Sequence, residues 1–331
     1  MTVRENFRRV LNFEKPDGRL PAIEWAAWWD VTIDRWKREG LPAELDTFAI
    51  IRHFGLDPLL SIGSNGRSDD CPKPVSYGQG IIGNEADYAA LKPYLFGDQL
   101  IAAMIEKARV AAVRQKSDDL IIYFWVEGFF WFPRVLFGIM DHLYAFYDHP
   151  ELMHRINRDL SDFHIRLIEA VFQFLTPDIM VLAEDMSYNK GSMISREMFR
   201  EFLLPYYRKV IPHMKKAGCK VFIDSDGDVT PMIPWLTEAG FDGALPLERQ
   251  AGVDIPRIRR EYPRFLMLGG YDKMVMSRQA ADMRGEFERL LPVMKSGGYI
   301  PSVDHLTPPE VSLQNYMIYA ELLKEYTIKA I

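Results

Sequence analysis

Short apolar runs that lean toward β structure alternate with helix-like segments along the whole chain, and this alternation limits the folds open to it. The runs are Pro21–Ala27, Asp57–Ile62, Leu120–Val126, Ile179–Glu184, Lys220–Asp224, Asp242–Leu247, Phe265–Gly270 and Tyr299–Val303. From Leu120 onward they are continuously apolar, as expected for strands buried on both faces of a parallel sheet. Between them, Glu151–Leu175, Ser195–Ala217 and Ala280–Lys295 repeat with the period of a helix. Ser195 reads as a helix N-cap and Gly218 as a helix stop. Eight candidate strands in 331 residues predict an α/β fold, a (β/α)8 barrel of the TIM type. Arg4–Phe13 adds an N-terminal helix, and Gly63–Gly83 reads as a long loop over one barrel end. A doubly wound sheet competes, but no G-x-G-x-x-G follows any strand. No repeat or linker interrupts the pattern, so residues 1–331 read as a single domain.

Composition removes several classes of function. The formal net charge is −6 and no long basic block occurs, which excludes general nucleic-acid binding. No apolar run approaches the ~20 residues needed to span a bilayer. The N-terminus is charged and lacks the apolar core of a secretory signal. Cys71 and Cys219 are too few for a disulfide scaffold or a four-cysteine zinc site, and they point to a reducing cytoplasm. Aromatic residues make up 13% of the chain, and two short clusters of them stand out.

In a barrel of this kind the active site lies at the C-terminal ends of the strands. Carboxylates recur there: Glu24, Glu127, Glu184-Asp185, Asp224 with Asp226 and Asp228, Glu248, Asp272 and Asp304. One alone can be a helix cap. Several converging on one concave site repel one another unless a cation or a proton sits among them. His305 is the one histidine of seven that directly follows a strand, beside Asp304. Trp28 and Trp29 follow the first candidate strand, and five aromatics lie within Trp125–Phe132. The second cluster either seals the barrel top or walls a pocket for a flat ligand, with Glu127 and Arg134 as orienting groups.

Particular stretches resemble one family. They are Arg4-Glu5-Asn6-Phe7 through Asp17 and Pro21, Ser195–Tyr206, Asp224–Asp228, and Gly297–Pro309 with Asn315-Tyr316. Together they are similar to the uroporphyrinogen decarboxylase-like superfamily along nearly the whole chain. That resemblance implies an α/β barrel, and either porphyrinogen decarboxylation or methyl transfer in a corrinoid-dependent system. The decarboxylases carry an arginine-rich motif after the first strand for a polycarboxylate substrate. Here Glu24-Trp25-Ala26-Ala27-Trp28-Trp29-Asp30 stands in that place, acidic and aromatic. Coenzyme M methyltransferases hold zinc with an H-x-C motif and a further cysteine. Here Asp224, Asp226 and Asp304 or His305 stand at those places, without thiolates.

The nearest resemblance is to the substrate-side methyltransferases of anaerobic O-demethylases. It implies transfer of a methyl group from a methoxylated aromatic to the cobalt of a separate corrinoid protein. On that reading Asp224, Asp226, His305 and Glu184 are the candidate catalytic residues. Asp224, Asp226, Glu248 and His305 are candidate ligands for zinc or another divalent ion. Trp28, Trp29, Trp125, Phe129, Phe130 and Trp131 form the ring pocket, Glu127 is a further orienting group, and Arg134 and Tyr188 orient ring substituents such as a carboxylate or hydroxyl. The expected partners are the corrinoid protein and the small methoxyarene, and a homodimer stays open. Competing readings are methyl transfer from methylcorrinoid to a thiol or tetrahydrofolate, uroporphyrinogen-type decarboxylation, and a non-catalytic aromatic-binding barrel.

Overall fold

The computed structural model describes residues 1–331. Its strands are β1 (Leu59–Ser64), β2 (Ile121–Glu127), β3 (Ile179–Ala183), β4 (Ser187–Tyr188), β5 (Gly191–Ser192), β6 (Lys220–Asp224), β7 (Gly243–Leu245), β8 (Leu266–Tyr271) and β9 (Tyr299–Val303). Seven of them form one sheet in the order β1-β2-β3-β6-β7-β8-β9, and every neighbour pair is parallel. The remaining two, β4 and β5, make a small antiparallel hairpin just after β3. Helices connect successive strands of the sheet and cover it, an α/β arrangement. In β2, Ile121, Ile122, Phe124 and Val126 have no solvent exposure, which is why the run reads as continuously apolar.

The sheet has seven strands where eight were expected. Pro21–Ala27 forms no strand: it bends at Trp25–Ala26, Ala27 sits at φ +59°, and none of its residues joins a ladder. Its hydrogen bonds go elsewhere. The Ala22 N–H donates to the Asp57 carboxylate (2.7 Å), and the Ala22 carbonyl accepts from the Asp57 N–H (2.8 Å). At the other end the Trp25 indole donates to the Val303 carbonyl (2.7 Å), and Trp28 forms a single bridge to Thr307. The Asp57 residue, through its backbone and carboxylate, and the Trp25 indole thus take the place of ladder bonds, and Pro21 has no N–H to offer one.

The N-terminal helix spans Val3–Leu11, closed by a capping box between Thr2 and Glu5. The expected helix Ser195–Ala217 forms in three pieces: Arg196–Met198, a π-helical turn Phe199–Leu203, and Leu204–Lys215. Ser195 caps its start, accepting from the Met198 N–H (3.2 Å). The last piece begins with Leu204-Pro205, and Pro205 cannot donate to the turn before it. No helix is long and apolar enough to cross a membrane.

Candidate active site

Alternation along the strands decides which side chains meet. Successive residues of a strand point to opposite sides of the sheet. From β2, Tyr123, Trp125 and Glu127 therefore face one way, and Phe124 and Val126 the other. Ala183 pairs with both Glu127 and Asp224, so the ends of β2, β3 and β6 lie level. Asp185 and Asp226 continue the same faces two residues on. Tyr123, Trp125, Glu127, Ala183, Asp185, Asp224 and Asp226, with Trp25, Ala26, Ser61, Trp131, His305 and Leu306, line a cavity of about 450 Å³ at the C-terminal ends of the strands.

Buried hydrogen bonds set the shape of this layer. The Asp304 carboxylate, fully buried, accepts from the Arg249 N–H (2.9 Å) and the Lys273 N–H (3.0 Å). It thereby ties the loops after β7 and β8 to the end of β9 and leaves His305 beside Asp226, Nε2 to Oδ1 3.5 Å. The turn after β6 is held by Ser187, whose hydroxyl donates to the Asp226 carbonyl (2.6 Å). Gly227 is required there, at φ +85° and pressed on the Tyr188 backbone, where a Cβ would come within 2.5 Å of Tyr188 Cα. Asp185 sits at φ +40°, a conformation non-glycine residues seldom adopt. Its carbonyl accepts from Arg134 (3.1 Å), and its carboxylate accepts from the Asp226 N–H (3.2 Å).

A family model described as uroporphyrinogen decarboxylase (URO-D) matches residues 112–326, well over half of the chain. The chain belongs to the uroporphyrinogen decarboxylase family. No curated protein matches its sequence. Among solved structures, a methyltransferase from Methanosarcina mazei has a similar fold. Its TM-score is 0.68 at 14% identity, covering 98% of this chain and 99% of that one. A putative vitamin-B12 independent methionine synthase from Listeria monocytogenes is more distant, with a TM-score of 0.47 at 12% identity over 94% and 98% of the two chains.

In this member of the family the candidate residues divide into those that line the cavity and those that support it. Trp125, Glu127, Trp131, Asp224, Asp226 and His305 line it. Glu184 does not. Its buried carboxylate accepts from the N–H groups of Phe129 (2.7 Å), Phe130 (2.7 Å) and Trp131 (3.0 Å) and from the Tyr207 hydroxyl. It holds the start of the helix Trp131–Phe137. Phe129 and Phe130 are wholly buried behind the cavity, Phe129 against Tyr207 and Phe130 against His142. Trp28 packs into a separate aromatic cluster with Trp36, Phe54 and Tyr316. Trp29 and Tyr188 are exposed, at 48% and 45%. The Arg134 guanidinium lies over the Trp131 ring, 5.1 Å from its centroid. Trp25, Tyr123 and Asp185 also line the cavity but were not among the candidate residues. The two-residue alternation that brings in Trp125 and Asp224 also selects Tyr123.

The electrostatics follow from this crowding. Burial, then Asp185 and Asp226, hold the Asp224 carboxyl well above the usual carboxylate range. Asp185 is raised by burial and then by Asp226. His305 is raised by its hydrogen bond to Asp226, against the effect of burial. Burial raises Glu127 too, offset by a bidentate pair with Arg67, both bonds at 2.7 Å. Asp224 has no hydrogen-bond donor of the chain at its carboxyl, while Asp226, Glu248 and His305 bring donor atoms within 4.8 Å of one another. Two carboxylates and an imidazole suit zinc or a harder divalent ion. The Lys273 ammonium, 3.5 Å from Glu248, and the Gly227 N–H, 2.9 Å from it, already bond the Glu248 carboxylate. That leaves Asp226 and His305 as the freer donors.

Proposed function

We propose that this chain is a methyltransferase that takes a methyl group from a methoxylated aromatic compound in this cavity. The observation that carries the reading is the joint lining of one space by flat aromatic walls, Trp25, Tyr123, Trp125 and Trp131, and by Asp224, Asp226 and His305. A dry cavity of ~150 Å³ can hold benzene. About 450 Å³ is room for one substituted ring. The same lining speaks against the family's namesake reaction. It contains Glu127, Asp185, Asp224 and Asp226 and no arginine or lysine, whereas a polycarboxylate substrate needs cations.

A corrinoid carried by a partner protein would supply the nucleophile that accepts the methyl group. The chain's residues do the rest. The indole faces orient the ring and exclude water. When the methyl carbon–oxygen bond breaks, its electron pair stays on the aryl oxygen. A proton delivered there makes the phenol a better leaving group. Asp224, held above the usual range and free of other donors, carries that proton, with the His305–Asp226 pair as the neighbouring donor. A divalent ion held by Asp226, Glu248 and His305 would add Lewis acidity toward the same oxygen.

The test mixes the protein with a reduced corrinoid protein and a panel of methoxyarenes, and follows cobalt methylation in the visible spectrum. Methylation by one or more methoxyarenes is expected. Methylation by a methylamine or methyl thiol alone would overturn the substrate assignment.

A further inference from the structure

Three cationic side chains beside the cavity are already engaged. The Arg67 guanidinium is bidentate to Glu127. Arg134 donates to the Asp185 carbonyl and lies over Trp131. Lys273 is paired with Glu248. The cavity wall itself holds four carboxyl side chains and no lysine or arginine. Two of the four, Asp185 and Asp224, have no lysine, arginine or histidine in ion-pair contact. A ring substituent that enters this space meets indole faces and carboxyl oxygens.

We propose, building on the methoxyarene reading, that the cavity selects methoxyarenes whose ring substituents are neutral or cationic and discriminates against those bearing a carboxylate. A neutral phenol hydroxyl can donate to the carboxyl oxygens. A protonated amine gains both from them and from the indole faces. A ring carboxylate leaves water for a wall without lysine or arginine and comes beside the Asp185 carboxylate, which has no ion-pair partner, a penalty that a neutral or cationic substituent does not meet. The discrimination amounts to ~10-fold or more in affinity. Asp185 is the specificity-determining residue, because it lines the cavity and its carboxylate takes only the Asp226 N–H.

Three probes of one scaffold separate the charge states: 2-methoxyphenol, 4-(2-aminoethyl)-2-methoxyphenol and 4-hydroxy-3-methoxybenzoate. Calorimetric binding to the metal-free full chain reads the discrimination without methyl transfer. The neutral and amine-bearing rings are expected to bind at least ~10-fold more tightly than the benzoate. Asp185→Asn, which tolerates the positive φ, is expected to narrow that gap. Equal or tighter binding of the benzoate, or a gap unchanged in Asp185→Asn, overturns the selectivity and leaves the methoxyarene reading intact. Binding of none of the three overturns both.

Discussion

Asp224 and Glu24 are both acidic residues held above their usual range, and they differ in what surrounds them. Asp224 opens into the cavity with no donor at its carboxyl. Asp224→Asn keeps the shape and loses the transferable proton. Single-turnover cobalt methylation is expected to slow by ~10²-fold, with methoxyarene affinity nearly unchanged. An unchanged rate would remove Asp224 from the proton-donor role. Glu24 is sealed in the interior, where it accepts from the Ser302 hydroxyl (2.9 Å) and the Tyr316 hydroxyl (2.9 Å). Burial pushes its carboxyl up from the ordinary 4.5 to about 8. Below pH 4.5 the folded and unfolded chains both keep that proton. Above it the unfolded chain releases the proton and folded Glu24 keeps it, so this residue costs stability as pH rises toward 8, at ~1.4 kcal/mol per unit. Glu24→Gln removes the linkage. Urea midpoints measured at pH 5 and pH 8 are expected to differ less in the variant than in the parent. Equal differences would contradict the account of Glu24.

At the scale of the element, the turn Gly128–Trp131 depends on Glu184. One carboxylate serves three consecutive backbone N–H groups and the Tyr207 hydroxyl. Glu184→Ala leaves these buried donors without an acceptor, at ~1–3 kcal/mol for each. A loss of at least ~3 kcal/mol is expected in chemical denaturation, together with weaker ring binding as Trp131 loses its seat. Gly128→Ala is expected to act in the same direction, since its Cβ would lie 1.9 Å from Glu184 Cδ. A loss below ~1 kcal/mol in both variants would contradict the clamp. Glu184 and Asp185 also show how far a sequence reveals a site. They are adjacent acids at one strand end, and alternation sends Asp185 to the cavity and Glu184 behind it. Within Phe129–Trp131 that period is gone, because the chain turns into a helix. Which of those rings faces the cavity is then set by Glu184, 53 or more residues away in sequence.

At the scale of the molecule, the six strands from β2 onward in the sheet were legible because buried parallel strands are written as unbroken apolar runs, while β1 is only partly buried. The segment Pro21–Ala27 has the same look, but its bonding is decided by Asp57 and by Val303, which no local pattern announces. The gathering of carboxylates at strand ends was legible in the same way. Their division into cavity, metal-capable and structural groups was not, because it rests on contacts such as Lys273–Glu248 and Asp304 with the Arg249 N–H. For the metal-capable group, elemental analysis is expected to find a divalent ion with the parent chain and its loss from His305→Ala. No ion in either would leave proton donation alone at the aryl oxygen.

The most direct measurement is a crystal structure of the chain with bound 2-methoxyphenol. The ring is expected between Trp25, Trp125 and Trp131, with its ether oxygen within hydrogen-bond reach of Asp224 or His305. A ring bound outside this cavity, or inside it with the ether oxygen turned away from both residues, would contradict the proposed function.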